Sequence, residues 1–189
     1  MVSNRETKYK GHFKVDELTV KTRNGKEVKR EVMVRKDAVA SVVYDTDKNK
    51  FIFVSQWRPG SNTEIIELVA GTLDVPGEDP RDAMKREIDE EIGYKTDHIH
   101  LIDECYMSPG GTTEIISIYY SEVSEKLHDG GGLENEDIDI IEMSLQELLT
   151  TRFKDAKTII GVNYIRENKG KFLVRMGDQK YGFGNKKID

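Results

Sequence analysis

Apolar and polar residues alternate through HFKVDELTV and again through EVKREVMVR, between His12 and Arg35, with the turn-like Arg23-Asn24-Gly25-Lys26 separating the two runs. A period of two is that of half-buried strands, so a hairpin or small antiparallel sheet is predicted here. AVASVVY (38–44) and FIFVSQW (51–57) are richer in β-branched and aromatic residues, and the stretch between them is turn-like, which predicts a second hairpin inside the core. EIIELVAG (64–71), HLIDECYM (100–107) and EIISIYYSEV (114–123) extend the sheet. The period then changes to that of a helix in three places. Asp79 is a natural N-cap, Pro80 suits the first helical position, Ala83, Met84, Ile88 and Ile92 recur at steps of three and four, and Gly93 is a stop signal, so residues 80–92 form a helix. Ser144 and Glu147 have the spacing of a capping box, and a third helix is predicted over about 155–167, ending near Gly170. FLVRM and the glycine- and lysine-rich end KYGFGNKKID read as one more strand with a frayed tail. A mixed sheet with flanking helices is an α+β sandwich.

At 189 residues and 37% hydrophobic content the chain is long enough for one well-buried core, so two full domains are not expected. The formal charge of −6 argues against a nucleic-acid partner held by a general basic surface. An anionic substrate stays open, because divalent cations reverse the sign of a carboxylate-lined pocket. Cys105 has no second cysteine to pair with, which fits a reducing cytoplasm. No apolar run approaches the length of a membrane span, and MVSNRETKYKG lacks the apolar segment of a signal peptide, so no membrane association is expected.

The informative stretch is GTLDVPGEDPRDAMKREIDEEIGY, Gly71 to Tyr94, in which a glycine loop runs into the first helix. Glu87 lies one turn before both Glu90 and Glu91, so three carboxylates crowd one side of that helix. Such crowding is costly unless something neutralises it, and hard divalent cations with oxygen ligands do so. EIDEE taken alone has a more ordinary reading as a solvated acidic face.

The surrounding spacing changes that balance. Glu78, seven residues, and then Arg86-Glu87-Ile88-Asp89-Glu90-Glu91-Ile92-Gly93-Tyr94 resembles the Nudix box, G-x5-E-x7-R-E-U-x-E-E-x-G-U with U apolar. One departure is present, six residues between Gly71 and Glu78 where the family has five, and it falls in the loop before the helix. The resemblance implies an α/β/α sandwich around a mixed sheet and hydrolysis of a nucleoside diphosphate linked to another group. It implies further that Glu87 and Glu91 are the main metal ligands, for Mg2+ with Mn2+ as a possible substitute. Glu90 would be a further ligand or water-orienting group, Glu78 an outer member of the site, and the Ala70 carbonyl an additional ligand. Arg86 would hold a box glutamate in place. A cation bridging the diphosphate oxygens withdraws charge from phosphorus and lowers the pKa of water, so catalysis is mainly positioning and charge neutralisation.

YMSPGGTTE (106–114), Lys29-Arg30-Glu31-Val32, Gln56-Trp57-Arg58, GGLENEDI (131–138) and DAKTIIGVNYI (155–165) are similar to segments of the ADP-ribose pyrophosphatase and GDP-mannose hydrolase branch, so the resemblance spans about residues 11 to 167. By that correspondence Arg30 and Arg58 would clasp the diphosphate or the distal sugar phosphate, and Ser108 and Glu114 would contact the sugar. Phe13 corresponds to an aromatic that stacks on the base, although a strand phenylalanine is more often packing. In the acidic loop, Glu134 is the candidate general base and Glu136 the alternative, with Gly130, Gly131 and Gly132 allowing the loop to close. The expected substrate is a nucleotide sugar, and the expected organisation is an N-terminal β segment (1–36) that pairs two copies into a homodimer, a catalytic domain (37–168) and a tail (169–189). Two other readings remain: a Nudix-fold binding module without catalysis, and an RNA 5′-end pyrophosphohydrolase. The complete set of box carboxylates speaks against the first and the acidic balance against the second.

Overall fold

The computed structural model of the protein describes residues 1–132 and 137–180. Three strands, β1 (Val2–Lys10), β2 (Lys14–Lys21) and β3 (Glu27–Val34), form an N-terminal antiparallel sheet of their own. The hairpin of β2 and β3 is the one expected from the alternating pattern. β1 is an addition: VSNRETKYK has no apolar period, and every residue of it is exposed. It is held by backbone pairing and by one buried charge. The Asp16 side chain on β2 accepts from Arg5 (2.6 Å) and Thr7 (2.8 Å) of β1 and pairs with Lys14 at 3.1 Å. These three donors outweigh the burial that would otherwise raise its pKa, so Asp16 titrates below the ordinary aspartate value of 3.8.

The main sheet has seven strands. Its order is β10 (Ile138–Met143), β5 (Lys50–Arg58), β4 (Ala38–Asp45), β9 (Ile115–Lys126), β8 (Tyr94–Tyr106), with β6 (Thr63–Glu67) added beside β5 and β7 (Val69–Thr72) beside β4. β4 and β9 run parallel and the other pairs antiparallel. Alternation sends Ala40, Val42 and Tyr44 of β4 to one face and Val39 and Val43 to the other. The first face is covered by α2 (Leu145–Thr150), α3 (Ala156–Glu167) and α4 (Lys169–Lys180) through Leu148, Val162, Ile165 and Phe172. The second is covered by α1 (Pro80–Ile92) through Ala83, Met84, Ile88 and Ile92. Helices on both faces of a mixed sheet make the expected α/β/α sandwich. No helix among the described residues is long and apolar enough to cross a membrane.

Two expectations change. The C-terminal FLVRM segment belongs to a helix, not a strand: Asn168 ends α3, α4 starts at once, and Gly170 lies inside its first turn. A short apolar run does not separate the two states by itself, and here tertiary docking decides. Phe172 is buried among Tyr44, Phe51 and Tyr120, with ring centroids 5.4 to 5.7 Å away, while Leu173 and Val174 stay exposed. The second change is in EIIELVAG, which is two strands divided at Leu68. β4 and β5 pair only beside their turn, at Val43–Asp45 with Lys50–Ile52. Beyond it β6 follows β5 and β7 follows β4, so the chain crosses from one strand to the other at Leu68, whose N–H goes to the Thr158 hydroxyl (3.0 Å) of α3.

Candidate active site

The helix that carries the carboxylates forms for the reasons its ends suggest. Asp79 accepts from the Arg81 N–H (2.8 Å), Pro80 starts the helix, and Gly93 closes it at φ 73° with its N–H on the Asp89 carbonyl (2.9 Å). The buried face of α1 packs on β4, β7 and β8, which leaves Glu87 and Glu91 against β7 and Glu90 beside them on the helix.

β7 approaches that edge closely. A Cβ at Gly71 would lie 1.9 Å from the Glu87 carboxyl carbon, so only glycine leaves the carboxylate where it is. One residue earlier, the Ala70 N–H donates to Glu91 Oε2 at 3.2 Å, and Glu91 is buried. Arg86 gathers the rest of the group. Its Nε and Nη2 reach Glu78 (3.2 and 3.3 Å), and its Nη1 reaches Glu87 (2.8 Å) and Glu90 (3.1 Å). The Glu78 bond is the largest of the effects that hold the Arg86 pKa above its ordinary value, with the Glu87 and Glu90 charges adding to it against partial burial. Three carboxylates thus meet one guanidinium with Glu91 beside them on Ala70, and the site keeps a surplus of negative charge.

Among the described residues no three side chains of His, Cys, Asp or Glu converge closely enough to cage a metal by themselves. The donor set nonetheless suits a hard cation such as magnesium, which takes one or two carboxylates and completes its shell with water and substrate phosphate. All donors are oxygens, and the cradle that Gly71 leaves open holds one of them.

The opposite side of Leu68 carries a second charged group. Arg58 on β5 donates from Nε (2.6 Å) and Nη2 (3.1 Å) to the two oxygens of Glu67, whose side chain is 4% exposed. Lys157 also binds Glu67 and pairs with Asp155 at 3.1 Å, and Asp155 caps α3. Burial opposes the Arg58 charge, but Glu67 and then Glu91 hold its pKa above the ordinary arginine value, which places Arg58 in the field of the carboxylate site.

The expected sugar-side residues meet at the seam between the two sheets. Met33 bridges to Thr112, the Arg35 N–H reaches Thr113 Oγ1 (2.9 Å), and that hydroxyl donates to the Arg35 carbonyl (3.0 Å). The Arg35 guanidinium pairs with Glu114 (3.0 Å) and lies over the Phe13 ring at 5.5 Å. Phe13 and Glu114 are therefore brought together, and Arg35, which no motif singles out, joins them. Ser108 is exposed, its carbonyl accepting from Gly111 (3.0 Å) and Thr112 (2.9 Å) in the turn that presents the segment. Arg30 is exposed on β3, opposite Leu18, and donates to the Lys29 carbonyl (2.9 Å) without joining either charged group.

Glu134 and Glu136 lie outside the described residues. The loop that leads to them follows β9 and docks on the end of α1: the Gly131 N–H caps the Glu91 carbonyl (2.8 Å), the Gly132 N–H caps that of Glu90 (3.2 Å), and Gly130, Gly131 and Gly132 all have positive φ. His128 steadies the entry, its Nδ1 accepting from Gly130 N–H (3.1 Å) and its Nε2 facing Asp89 (3.0 Å).

A carboxylate-bearing helix packed on a glycine strand, within an α/β/α sandwich, defines a phosphoanhydride-hydrolase type of site. The NUDIX domain model matches residues 34–161, two-thirds of the chain, and the chain belongs to that family and is a Nudix hydrolase. It is 38% identical over 148 residues to the methanol dehydrogenase activator of Bacillus methanolicus, a match that covers 76% of this chain and 79% of that protein. It is 33% identical over 150 residues to the GDP-mannose pyrophosphatase of Escherichia coli (strain K12), covering 73% of this chain and 78% of the relative. The fold matches a crystal structure of an ADP compounds hydrolase with a TM-score of 0.76 at 23% identity, over 90% of this chain and 95% of that one.

Proposed function

We propose that this Nudix hydrolase is a magnesium-dependent pyrophosphatase that cuts the diphosphate bond of a nucleoside-diphosphate sugar, such as ADP-ribose or GDP-mannose, to a nucleoside monophosphate and a sugar phosphate. The observation that carries the reading is the Arg86 cluster on the Gly71 cradle, a set of fixed oxygen donors with excess negative charge that a diphosphate could approach only together with cations. The GDP-mannose pyrophosphatase relatives and the joining of Phe13 to Glu114 support a nucleotide sugar over other diphosphates.

Glu87, Glu91 and the Ala70 carbonyl are assigned to hold Mg2+, or Mn2+ in its place, with Glu90 and Glu78 completing the acidic group. The cation supplies charge withdrawal from phosphorus and a more acidic water. The chain itself then has four tasks. Arg86 fixes the carboxylates, Arg58 and Arg30 bind diphosphate oxygens, and Ser108, Glu114 and Phe13 receive the sugar and base. Glu134 takes the proton of the attacking water, with Glu136 as the alternative. The Glu134→Gln change lowers kcat and leaves KM nearly unchanged if that assignment holds.

The deciding experiment incubates the protein with ADP-ribose, GDP-mannose and a capped RNA, with and without magnesium, and identifies the products by mass. Nucleoside monophosphate and sugar phosphate, formed only with magnesium, are expected; cleavage of the RNA alone would overturn the reading. The same proposal takes the N-terminal sheet to pair two copies of the chain in the reducing cytoplasm that the lone Cys105 fits. Light scattering that returns the single-chain mass of 21.6 kDa at micromolar concentration would refute the pairing.

A further inference from the structure

The nucleotide-sugar reading uses Arg58 but gives no task to the Glu67 and Lys157 that hold it. Glu67 stands between Ile66 and Leu68 in EIIELVAG, and it is buried. A buried ion pair is weak evidence for stability, because desolvating both charges offsets most of their attraction. Geometry is what such a pair supplies. Glu67 takes Arg58 side-on, through Nε and Nη2, so the plane of the guanidinium is fixed. Nη1 makes no hydrogen bond among the described residues and the Arg58 side chain remains 43% exposed, so the Nη1 donors are left for a ligand. Lys157 binds Glu67 Oε2, the oxygen that also accepts from Arg58 Nη2, and is itself held by Asp155, whose carboxylate caps α3 and takes the Thr158 hydroxyl (2.7 Å).

From this arrangement we infer that Glu67 is a positioning residue, anchored by Lys157 on α3, which orients Arg58 so that its Nη1 end meets a diphosphate oxygen of the substrate. The inference rests on the diphosphate reading of the site and adds a role that the Nudix box does not contain. Glu67 touches no reacting atom. It removes the rotational freedom that Arg58 would otherwise lose on binding. Lys157 holds Glu67 in place and Asp155 holds Lys157, so the charges of the four side chains sum to zero.

A double-mutant cycle on the full chain tests this. Glu67→Gln removes the charge, and Glu67→Asp keeps the charge, so that Lys157 stays paired and the fold is preserved, but draws the carboxylate back by one methylene. Each is measured alone and in the Arg58→Ala background, with kcat and KM for the sugar nucleotide that the wild type cleaves and with the melting temperature as a control. Both changes should raise KM about tenfold with kcat within about twofold in the wild-type background, and should alter KM by less than about twofold once Arg58 is gone. Equal losses in the two backgrounds, or a loss in kcat with KM unmoved, would overturn the positioning role. A wild-type chain that cleaves no diphosphate would instead overturn the functional reading, and this inference with it.

Discussion

Gly71→Ala separates the geometry of the site from the stability of the fold. The added Cβ would lie 1.9 Å from the Glu87 carboxyl carbon and 2.1 and 2.4 Å from its oxygens. Unstrained carbon contacts are about 3.5–4.0 Å, so the carboxylate must retreat by roughly 1.6 Å or more. The atoms that move are the end of a flexible side chain, and Gly71 is not among the positive-φ glycines, so the backbone carries no conformational penalty. Overpacking costs about 1–3 kcal/mol in general, here at the low end, and the stiffer unfolded chain returns about 0.4–1 kcal/mol. The net change is about 1 kcal/mol or less, a melting shift of about 2–4 °C for a chain of this size. Activity has no such compensation. A misplacement of about 1 Å in a catalytic arrangement can cost on the order of 100-fold in rate, and Glu87 also loses its distance to Arg86 Nη1. Steady-state hydrolysis across a magnesium titration, run beside a thermal melt, should show kcat down about 100-fold with the fold intact. Wild-type kcat at saturating magnesium would show that the position of Glu87 is immaterial, and a collapse of the melt would show that Gly71 serves the fold.

Three further outcomes are expected. Glu87→Gln or Glu91→Gln should abolish nearly all turnover while circular dichroism stays unchanged, since an amide oxygen at position 91 can still accept from the Ala70 N–H; unimpaired kcat in either would refute the ligand assignment. Asp16 has a depressed folded-state pKa, so its contribution is whole above the ordinary value of 3.8 and is lost as pH falls through the lower folded value; amide exchange in β1 should therefore accelerate only in that acid window, and at neutral pH in Asp16→Asn, whereas exchange indifferent to both would mean that Asp16 does not hold β1. Phe172→Ala should destabilise the protein by about 3–5 kcal/mol, as for a buried core phenylalanine, and a denaturation midpoint that does not move would mean that α4 is not docked in solution.

What the sequence made legible follows from where each element gets its stability. α1 was readable because its own residues end it: Asp79, Pro80 and Gly93 act locally, and the box spacing then located Glu87 and Glu91 on the edge that faces β7. The capping box at Ser144 and Glu147 formed for the same reason. β1 was not readable, because its side chains contribute no buried surface and its partner is a charge on the next strand. α4 was misread as a strand because its state is set by one aromatic residue docking on three others far away in the chain. Arg35, Glu67 and Lys157 escaped notice on similar grounds. A lone arginine after a strand, a glutamate in an apolar run and a lysine in a helix's first turn are common features, and their roles depend on pairs 79, 9 and 90 positions apart along the chain.

The break at Leu68 ties these pieces to one cause. A continuous strand over 64–71 would have kept every N–H in a ladder and every side chain on a fixed alternation. Instead the chain leaves β5 for β4 at a point where both neighbours are paired elsewhere, so the Leu68 N–H must find a side chain, and Thr158 of α3 provides it. α3 can come so close because Gly161 has no side chain: a Cβ there would meet Val42 at 2.6 Å and Leu68 at 3.0 Å. With α3 at that distance, Lys157 reaches Glu67 on one side of the break, and on the other side β7 presents Ala70 and Gly71 to the carboxylates of α1. The two helices thus act on opposite sides of the sheet through a single crossing. A bulky residue at position 161 should therefore disturb Arg58 and the carboxylate site together, although it touches neither.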